Sequence, residues 1–223
     1  MSFDIEYVYS NSRKETMFTM DERKELLTYL TDSRETLEVL PNRKHVKDLQ
    51  MKERIFLAGI IWSKFTEDSK GNAYILADEK LCDMEFGRNN DWRESPIRQF
   101  LNNEVYQKII EELGVDALIT IQTDLFSHDG LRDYGKCDDM VSLLTYDLYR
   151  NNRESIKDFR EWYWTCTPDS TPSGCNSCNV QFVSYDGYAN YYWCDSPGAV
   201  RPFCIIKSDI LVSVNNRQNN TAQ

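Results

Sequence analysis

Cys175 and Cys178, separated by two residues, are the first place in this chain where residue type and spacing suggest chemistry. A CxxC pair is half of a zinc-knuckle ligand set, and Cys166, Cys194 and Cys204 are further thiols that could complete a tetrad. No second CxxC occurs, however, and neither His45 nor His128 lies near the first in sequence. The expectation carried forward is reduced thiols, with no metal and no cofactor. Cys194 and Cys204 are the candidates for a reactive pair, but only Arg201 stands near enough in sequence to depress a thiol pKa. Asp169, Asp186 and Asp195 offer oxygen ligands for calcium, yet isolated loop aspartates more often serve turns. Two histidines support no Ser-His-Asp order, and the chain contains no GxGxxG, GxxxxGKS/T or HExxH. No catalytic residue is named, and the chain is expected not to be an enzyme.

Binding chemistry is better represented. Between Trp162 and Ile206 the charged residues are Asp169, Asp186, Asp195 and Arg201, while Trp and Tyr are dense. Tyr offers large rigid contact area at small entropic cost, and small polar residues adapt their hydrogen bonds. The candidate ligand-binding residues are Asn176, Ser177, Asn179, Tyr185, Asp186, Tyr188, Asn190, Tyr191, Tyr192, Asp195 and Ser196. Ordinary turn and sheet roles would use the same residue types, and a one-residue slip of register would exchange buried and exposed tyrosines. Arg201, in a charge-poor stretch and fixed by Pro202, is expected to be buried against an acid, Asp186 or Asp195.

The elements that must position these residues are legible from pattern. SRKETMFTMDERKELLTYLTDSRETLEVL reads as helical and ends at Pro41. RIFLAGIIWSKF reads as one strand, or two joined at Gly59, followed by a turn at Asp68–Asn72 and a strand at Ala73–Ala77. Ser95 and Pro96 form an N-cap and first-turn pair for a helix carrying Ile97, Phe100, Leu101 and Val105. A further helical piece, Tyr106–Leu113, stops at Gly114. Asp116–Ile121 reads as a short strand, 127–139 as a polar loop, Val141–Leu144 as a strand, and Thr145–Phe159 as a short helix with a loop. Afterwards WYWTCT, NVQFVSY, YANYYWC, FCIIKS and ILVSV alternate with turn clusters, the pattern of antiparallel β structure. The expected division is a helical extension over 1–53, a mixed domain over 54–214 and a polar tail over 215–223.

Bulk properties narrow the partners. The chain has 223 residues and a formal net charge of −10, with a pI of about 4.8. Such a surface repels phosphate backbones and anionic lipid, so neither nucleic acid nor membrane insertion is expected. No stretch reaches the ~18 apolar residues of a membrane span. MSFDIEYVYS has neither a basic nor an apolar signal region, which predicts cytoplasmic synthesis.

Five segments in order carry a family resemblance: Trp92–Asn102, Val141–Thr145, Trp162–Pro168, Val180–Gly187 and Gly198–Ile206. They resemble an uncharacterised domain family common in phages, prophages and Gram-positive gut bacteria, over about residues 54–213. That family looks like a branch of the C-type-lectin fold, which formylglycine-generating enzymes and the variable proteins of diversity-generating retroelements also use. The resemblance implies an α+β, C-type-lectin-like fold with short antiparallel strands. It makes Trp162, Trp164, Gly187, Gly198, Arg201 and Pro202 the scaffold, and places display positions between Thr167 and Pro197. The implied function is recognition of a host-surface protein or glycan by a virion- or tail-associated module, present as a homo-oligomer or attached to a larger assembly. A structural decoration protein of a virion and a formylglycine-generating-type oxidoreductase are the alternatives.

Overall fold

RIFLAGIIWSKF folds as a hairpin. Ala58 and Gly59 both take positive φ, 55° and 76°, a backbone that turns two strands tightly without splaying them. The flanking strands are β2 (Arg54–Leu57) and β3 (Ile60–Glu67). At the far end of β3 the Asp68 carboxylate accepts from the Lys70 and Asn72 amides and the Asn72 side chain, which closes the turn into β4 (Ala73–Ala77).

The computed structural model describes residues 43–214. The chain divides into two units, Met1–Leu40 and Pro41–Gln223. Residues 1–42 of the expected helical extension, and the tail 215–223, lie outside the described residues. The remainder of that extension is sheet-domain structure. Arg43–His45 forms β1, which pairs with β14 (Leu211–Val214) at the sheet edge.

The second unit is mixed and sheet-rich. One sheet has seven strands in the order β1-β14-β2-β3-β4-β13-β8, where β8 is Val141–Leu143 and β13 is Pro202–Ile206. Its central strands are buried on both faces. Ala73, Ile75, Cys204 and Ile206 join one apolar cluster with Trp62, Trp92 and Trp164. Leu76, Phe203 and Ile205 join another with Phe65 and Tyr163. Side chains alternate at period two along each strand, so each strand serves both clusters.

The second sheet runs β11-β10-β9-β12-β5. These strands are β5 (Asp83–Glu85), β9 (Tyr163–Pro168), β10 (Asn179–Val183), β11 (Ala189–Trp193) and β12 (Pro197–Ala199). A small third sheet pairs β6 (Ile121–Asp124) with β7 (Lys136–Asp139). The strand expected at Asp116–Ile121 thus begins at its last residue, and only Leu118 makes a bridge before it. The last four residues of the expected 127–139 loop are β7. Its polar composition hid it, because alternate residues face solvent while Cys137 and Asp139 are buried.

The Trp92–Asn102 motif folds as its sequence suggests. The Ser95 hydroxyl accepts from the Ile97 amide and donates to the Phe86 carbonyl. Helix α1 (Pro96–Phe100) runs through a π-helical stretch, Leu101–Val105, into α2 (Tyr106–Leu113), which Gly114 ends at φ 91°. Three motif side chains converge on Asp139, whose carboxylate is fully buried. The Trp92 indole donates to it at 2.8 Å, the Arg98 guanidinium at 2.7 Å and the Asn102 amide at 3.2 Å. Asn102 also accepts from the Met140 and Val141 amides, so one side chain clamps the link from β7 to β8. Helix α3 (Tyr146–Asn151) follows, capped by Thr145.

Arg201 is buried as expected, but no acid among the described residues pairs with it, and neither Asp186 nor Asp195 touches it. Its guanidinium donates to the carbonyls of Ala77 and Lys157 and lies between the rings of Phe159 and Tyr163, at 4.9 and 5.0 Å. Both proposed aspartates stand exposed in turns of the second sheet. Backbone carbonyls and aromatic faces supply the compensation instead. No helix among the described residues is long and apolar enough to cross a membrane.

The Asp139 cluster yields a prediction. Asp139→Ala leaves the buried Trp92 indole N–H and the Arg98 charge without their acceptor, so it should cost about 3 kcal/mol or more. Urea unfolding of the two proteins measures this, and a change within ~0.5 kcal/mol, typical of surface sites, would refute it.

Candidate functional site

The expected display region divides in two. Its first part, residues 169–179, is a loop held down by carboxylates of the segment between β6 and β7. Asp129 accepts from Ser170 at 2.6 Å. Asp133 accepts from the Thr171 hydroxyl at 2.8 Å and the Ser173 amide at 3.0 Å. Fully buried Asn90 donates to the Ser170 and Asn179 carbonyls and accepts from the Tyr134 hydroxyl, whose pKa burial pushes up to about 12.

Three of the candidate residues in this loop are half-buried and structurally engaged. Asn176 accepts from the Cys178 and Asn179 amides, and the Ser177 carbonyl accepts from Asn90. Asn179 begins β10, and its side-chain oxygen is buried.

The second part is the hairpin of β10 and β11, and the other candidates lie on or beside it. Its turn is closed by the Ser184 amide donating to the Tyr188 carbonyl at 2.8 Å. Gly187 sits there at φ 82°, a left-handed value that favours glycine. The Tyr149 hydroxyl holds the Gly187 carbonyl, and a side chain at 187 would strike the Arg153 guanidinium. Asp186 accepts the Ser184 hydroxyl, which holds its carboxyl below the usual carboxylate range.

Tyr185, Tyr188 and Tyr191 are 69, 74 and 53 % exposed, and Tyr192 is 47 % exposed. Asp186, Asn190 and Asp195 are exposed too, while Ser196 is half-buried. Trp193 belongs with them at 59 % exposure. The sequence reading passes it over because it takes tyrosines and small polar residues as contacts and names only Trp162 and Trp164 among the tryptophans, both as scaffold. Its position two residues after Tyr191, on the same strand face, was the available signal.

Register separates the tyrosines. Tyr192 pairs with Val180 and packs against Trp162 at 5.7 Å, while Trp162 also meets Phe182 at 5.0 Å and Trp164 at 4.9 Å. Tyr191 and Trp193 point the other way, about 7 Å apart along the strand by β geometry. Strand β11 is an edge strand, but its outer backbone is partly occupied. The Tyr191 amide is taken by the Asn190 side chain at 2.8 Å, and the Trp193 carbonyl accepts from Ser196 at 3.0 Å. Such blocking disfavours pairing with a further strand and leaves side chains as the contact surface.

The scaffold residues lie beneath this hairpin and beside it. Trp164 is fully buried and donates to the Met84 carbonyl at 3.1 Å. A side chain at Gly198 would collide with the Trp162 and Trp164 rings, so glycine lets β12 lie against them. Pro202 opens β13 from inside the core.

The thiols do not assemble. All seven cysteines are free, and no group of three metal-ligating side chains exists among the described residues. Cys166 and Cys204 are fully buried, and burial raises both thiol pKa values. Cys194 is 4 % exposed and pushed up to about 11, chiefly by burial. None of these three resembles an activated nucleophile.

A groove of about 750 Å3 lies elsewhere, between β4, β13, β6 and the start of α3. Tyr74, Phe203, Thr123, His128 and Tyr146 line it, and no sequence motif marked it. The His128 ring stands edge-on to Tyr146 at 5.8 Å, while the Ser127 hydroxyl donates to Asp129. The two guanidiniums at its rim are already paired, Arg132 with Asp124 and Arg150 with Asp147. Mixed apolar and polar walls of this kind suit a small amphipathic ligand. Ser127 and His128 form no hydrogen-bonded nucleophile–base pair.

Two expected outcomes follow from the site. Gly198→Ala should destabilise the domain by about 1–3 kcal/mol through overpacking, read as a lowered urea midpoint; an unchanged midpoint would disprove the close approach. Asp129 and Asp133 sit below the ordinary 3.8, held chiefly by Ser127 and by Ser173 respectively. Their contribution is therefore complete above that value and is lost as pH falls through the lower folded-state pKa. The Ser173 amide resonance should titrate with a midpoint below 3.8, and a midpoint at or above it would contradict the contact.

No family model, curated protein or solved structure matches this chain.

Proposed function

We propose that this chain is a recognition protein that contacts a protein surface through the exposed side chains of the β10–β11 hairpin. One observation carries the reading. Of the ten large hydrophobic residues that stand exposed among the described residues, five fall between Tyr185 and Trp193. Aromatic residues gathered on a rigid hairpin are the kind of anchor that dominates interface energetics. The hairpin forms the outer two strands of the sheet, and the cavity of about 10 Å3 at its turn is too small for a ligand, which suits a macromolecular partner more than a small molecule.

The C-type-lectin-like architecture and the virion or tail setting belong to this same reading. They are supported by the resemblance and by the way Trp162, Trp164 and Gly198 pack against the hairpin. With a net charge of −10 on the chain, association with a basic or neutral surface is favoured over an acidic one.

The structure refines the choice of variant. Tyr192 packs on Trp162, so replacing it would disturb the scaffold, whereas Tyr188, Tyr191 and Trp193 can be changed from solvent. The Tyr188→Ser, Tyr191→Ser, Trp193→Ser triple variant should melt with the wild type. It should lose at least tenfold in affinity for intact Gram-positive gut bacteria, in keeping with roughly 2 kcal/mol or more per interface hot spot. Pretreating the cells with protease should abolish wild-type binding. Loss on periodate treatment alone would assign a glycan instead, and equal binding by variant and wild type would leave the hairpin a decoration surface.

A further inference from the structure

Two of the seven thiols, Cys178 and Cys194, face each other at the base of the hairpin. The register of β10 with β11 pairs Asn179 with Trp193, Val180 with Tyr192 and Gln181 with Tyr191. Continued outward by one step, it sets Cys178 opposite Cys194. One bond of that step is made, the Cys194 amide donating to the Cys178 carbonyl at 2.7 Å, while the Cys194 carbonyl accepts from the Gly87 amide at 3.0 Å and the Cys178 amide donates to Asn176 at 3.2 Å, so the ladder ends on this single bond. That bond and the charge of Cys178 acting on the Cys194 thiol set the two residues side by side, where a regular hydrogen-bonded antiparallel pair holds Cα atoms about 5.5 Å apart. That spacing falls inside the roughly 4.4–6.8 Å range of disulfides. Directly opposed side chains also share a face of the sheet. Both thiols are free, Cys178 exposed and Cys194 buried.

We propose that Cys178 and Cys194 form a thiol–disulfide modification site, which an external small-molecule disulfide oxidises to a cross-strand link closing the Asn179–Trp193 hairpin. The exposed Cys178 thiolate attacks one sulfur of a disulfide such as glutathione disulfide. That S–S bond breaks, one glutathione leaves as thiolate and takes up a proton, and a mixed disulfide remains on Cys178. Cys194 then loses its proton to solvent and attacks the Cys178 sulfur, expelling the second glutathione. The two protein thiols are oxidised by two electrons, and one glutathione disulfide is reduced to two glutathiones.

Cys178 is the natural entry point because it is exposed. Cys194 is the slow partner. Burial, followed by the charge of Cys178 itself, raises its thiol to about 11, so little thiolate is present at neutral pH. The mixed disulfide should therefore accumulate at neutral pH and close faster as pH rises. Cys175 is the competing thiol, exposed and three residues before Cys178. Its sulfur receives the Asn176 side-chain amide at 3.3 Å, and its own amide is tied to Ser170 at 3.0 Å. It lies across no strand pair from Cys194. The cross-link does not depend on the recognition role. Only its benefit, an aromatic strand ordered before contact, rests on that reading.

The experiment equilibrates the full chain in glutathione buffers of graded redox ratio, alkylates the remaining thiols and maps linkages by mass spectrometry. Chymotrypsin is required, since no Lys or Arg lies between Glu161 and Val200 and trypsin would leave all the relevant thiols on one peptide. The expected product is a Cys178–Cys194 link that persists in Cys175→Ser and vanishes in Cys178→Ser. The exposed Cys178→Ser variant should fold normally, which keeps the test independent of the buried thiol. Closure at pH 9 should be at least tenfold faster than at pH 7. A Cys175–Cys178 or Cys175–Cys194 link, or glutathione on the exposed thiols with Cys194 still reduced at pH 9, overturns the site. Cell binding by the oxidised and reduced forms is scored separately, so loss of the recognition reading would leave the linkage result standing.

Discussion

The buried guanidinium of Arg201 stands where the chain passes from one sheet to the other. Residues 197–199 belong to the five-stranded sheet and 202–206 to the seven-stranded one, so only Val200 and Arg201 make the crossing. The Val200 backbone is paired across the crossing, its amide with the Cys82 carbonyl and its carbonyl with the Leu81 amide. The Arg201 side chain donates both ways from it, to the carbonyl of Ala77 at the end of β4 and to that of Lys157 before β9. The rings of Phe159 and Tyr163 enclose its planar faces. Lysine has no planar fork and could not stack and donate in two directions at once. Aromatic and carbonyl partners also spare the domain a second buried charge, which would carry its own desolvation cost.

From that corner the remaining architecture follows in both directions. Towards the seven-stranded sheet, β13 enters the core between β4 and β8 and presents Phe203 and Ile205 to one cluster and Cys204 and Ile206 to the other. Towards the five-stranded sheet, Gly198 lets β12 press against Trp162 and Trp164, and Trp162 in turn supports Phe182 and Tyr192. The hairpin is thus held from beneath by stacked aromatics and at its turn by the Tyr149 hydroxyl. Rigid support of this kind lowers the entropy lost when an exposed aromatic meets a partner.

The loop beside the hairpin depends on a different kind of force. Residues 169–179 contribute little apolar surface and are fixed by Asn90, Asp129 and Asp133, through hydrogen bonds to hydroxyls and backbone. It is a polar clamp, strongest while the carboxylates are ionised. The two halves of the expected display region therefore differ in physics. One is a hydrogen-bonded support, and the other is an aromatic projection. The candidate residues of the first are half-buried, while the large aromatic residues of the second stand exposed.

Features set by neighbours in sequence were legible in the chain itself. The Ser95–Pro96 cap, the Gly114 stop, the turn at Asp68–Asn72 and the short strands of the last third all depend on residues a few positions apart, and the folded chain has them. The need for a buried Arg201 was legible for the same reason, since the charge-poor stretch around it is local. Its partner was not, because Ala77 is more than a hundred positions away and offers a carbonyl, which every residue carries. Strand β7 was hidden by polar composition, and β1 by the charged stretch after Pro41 that was grouped with the helical extension. The aromatic face was visible in composition, but register alone turned Tyr192 onto Trp162 and left Tyr191 and Trp193 to solvent. Register and the pairing of distant strands are settled by burial summed over the whole core. That sum is a tertiary quantity: residue types able to make a recognition surface can be read along the chain, whereas which of them face outward depends on strands far apart in sequence packing together.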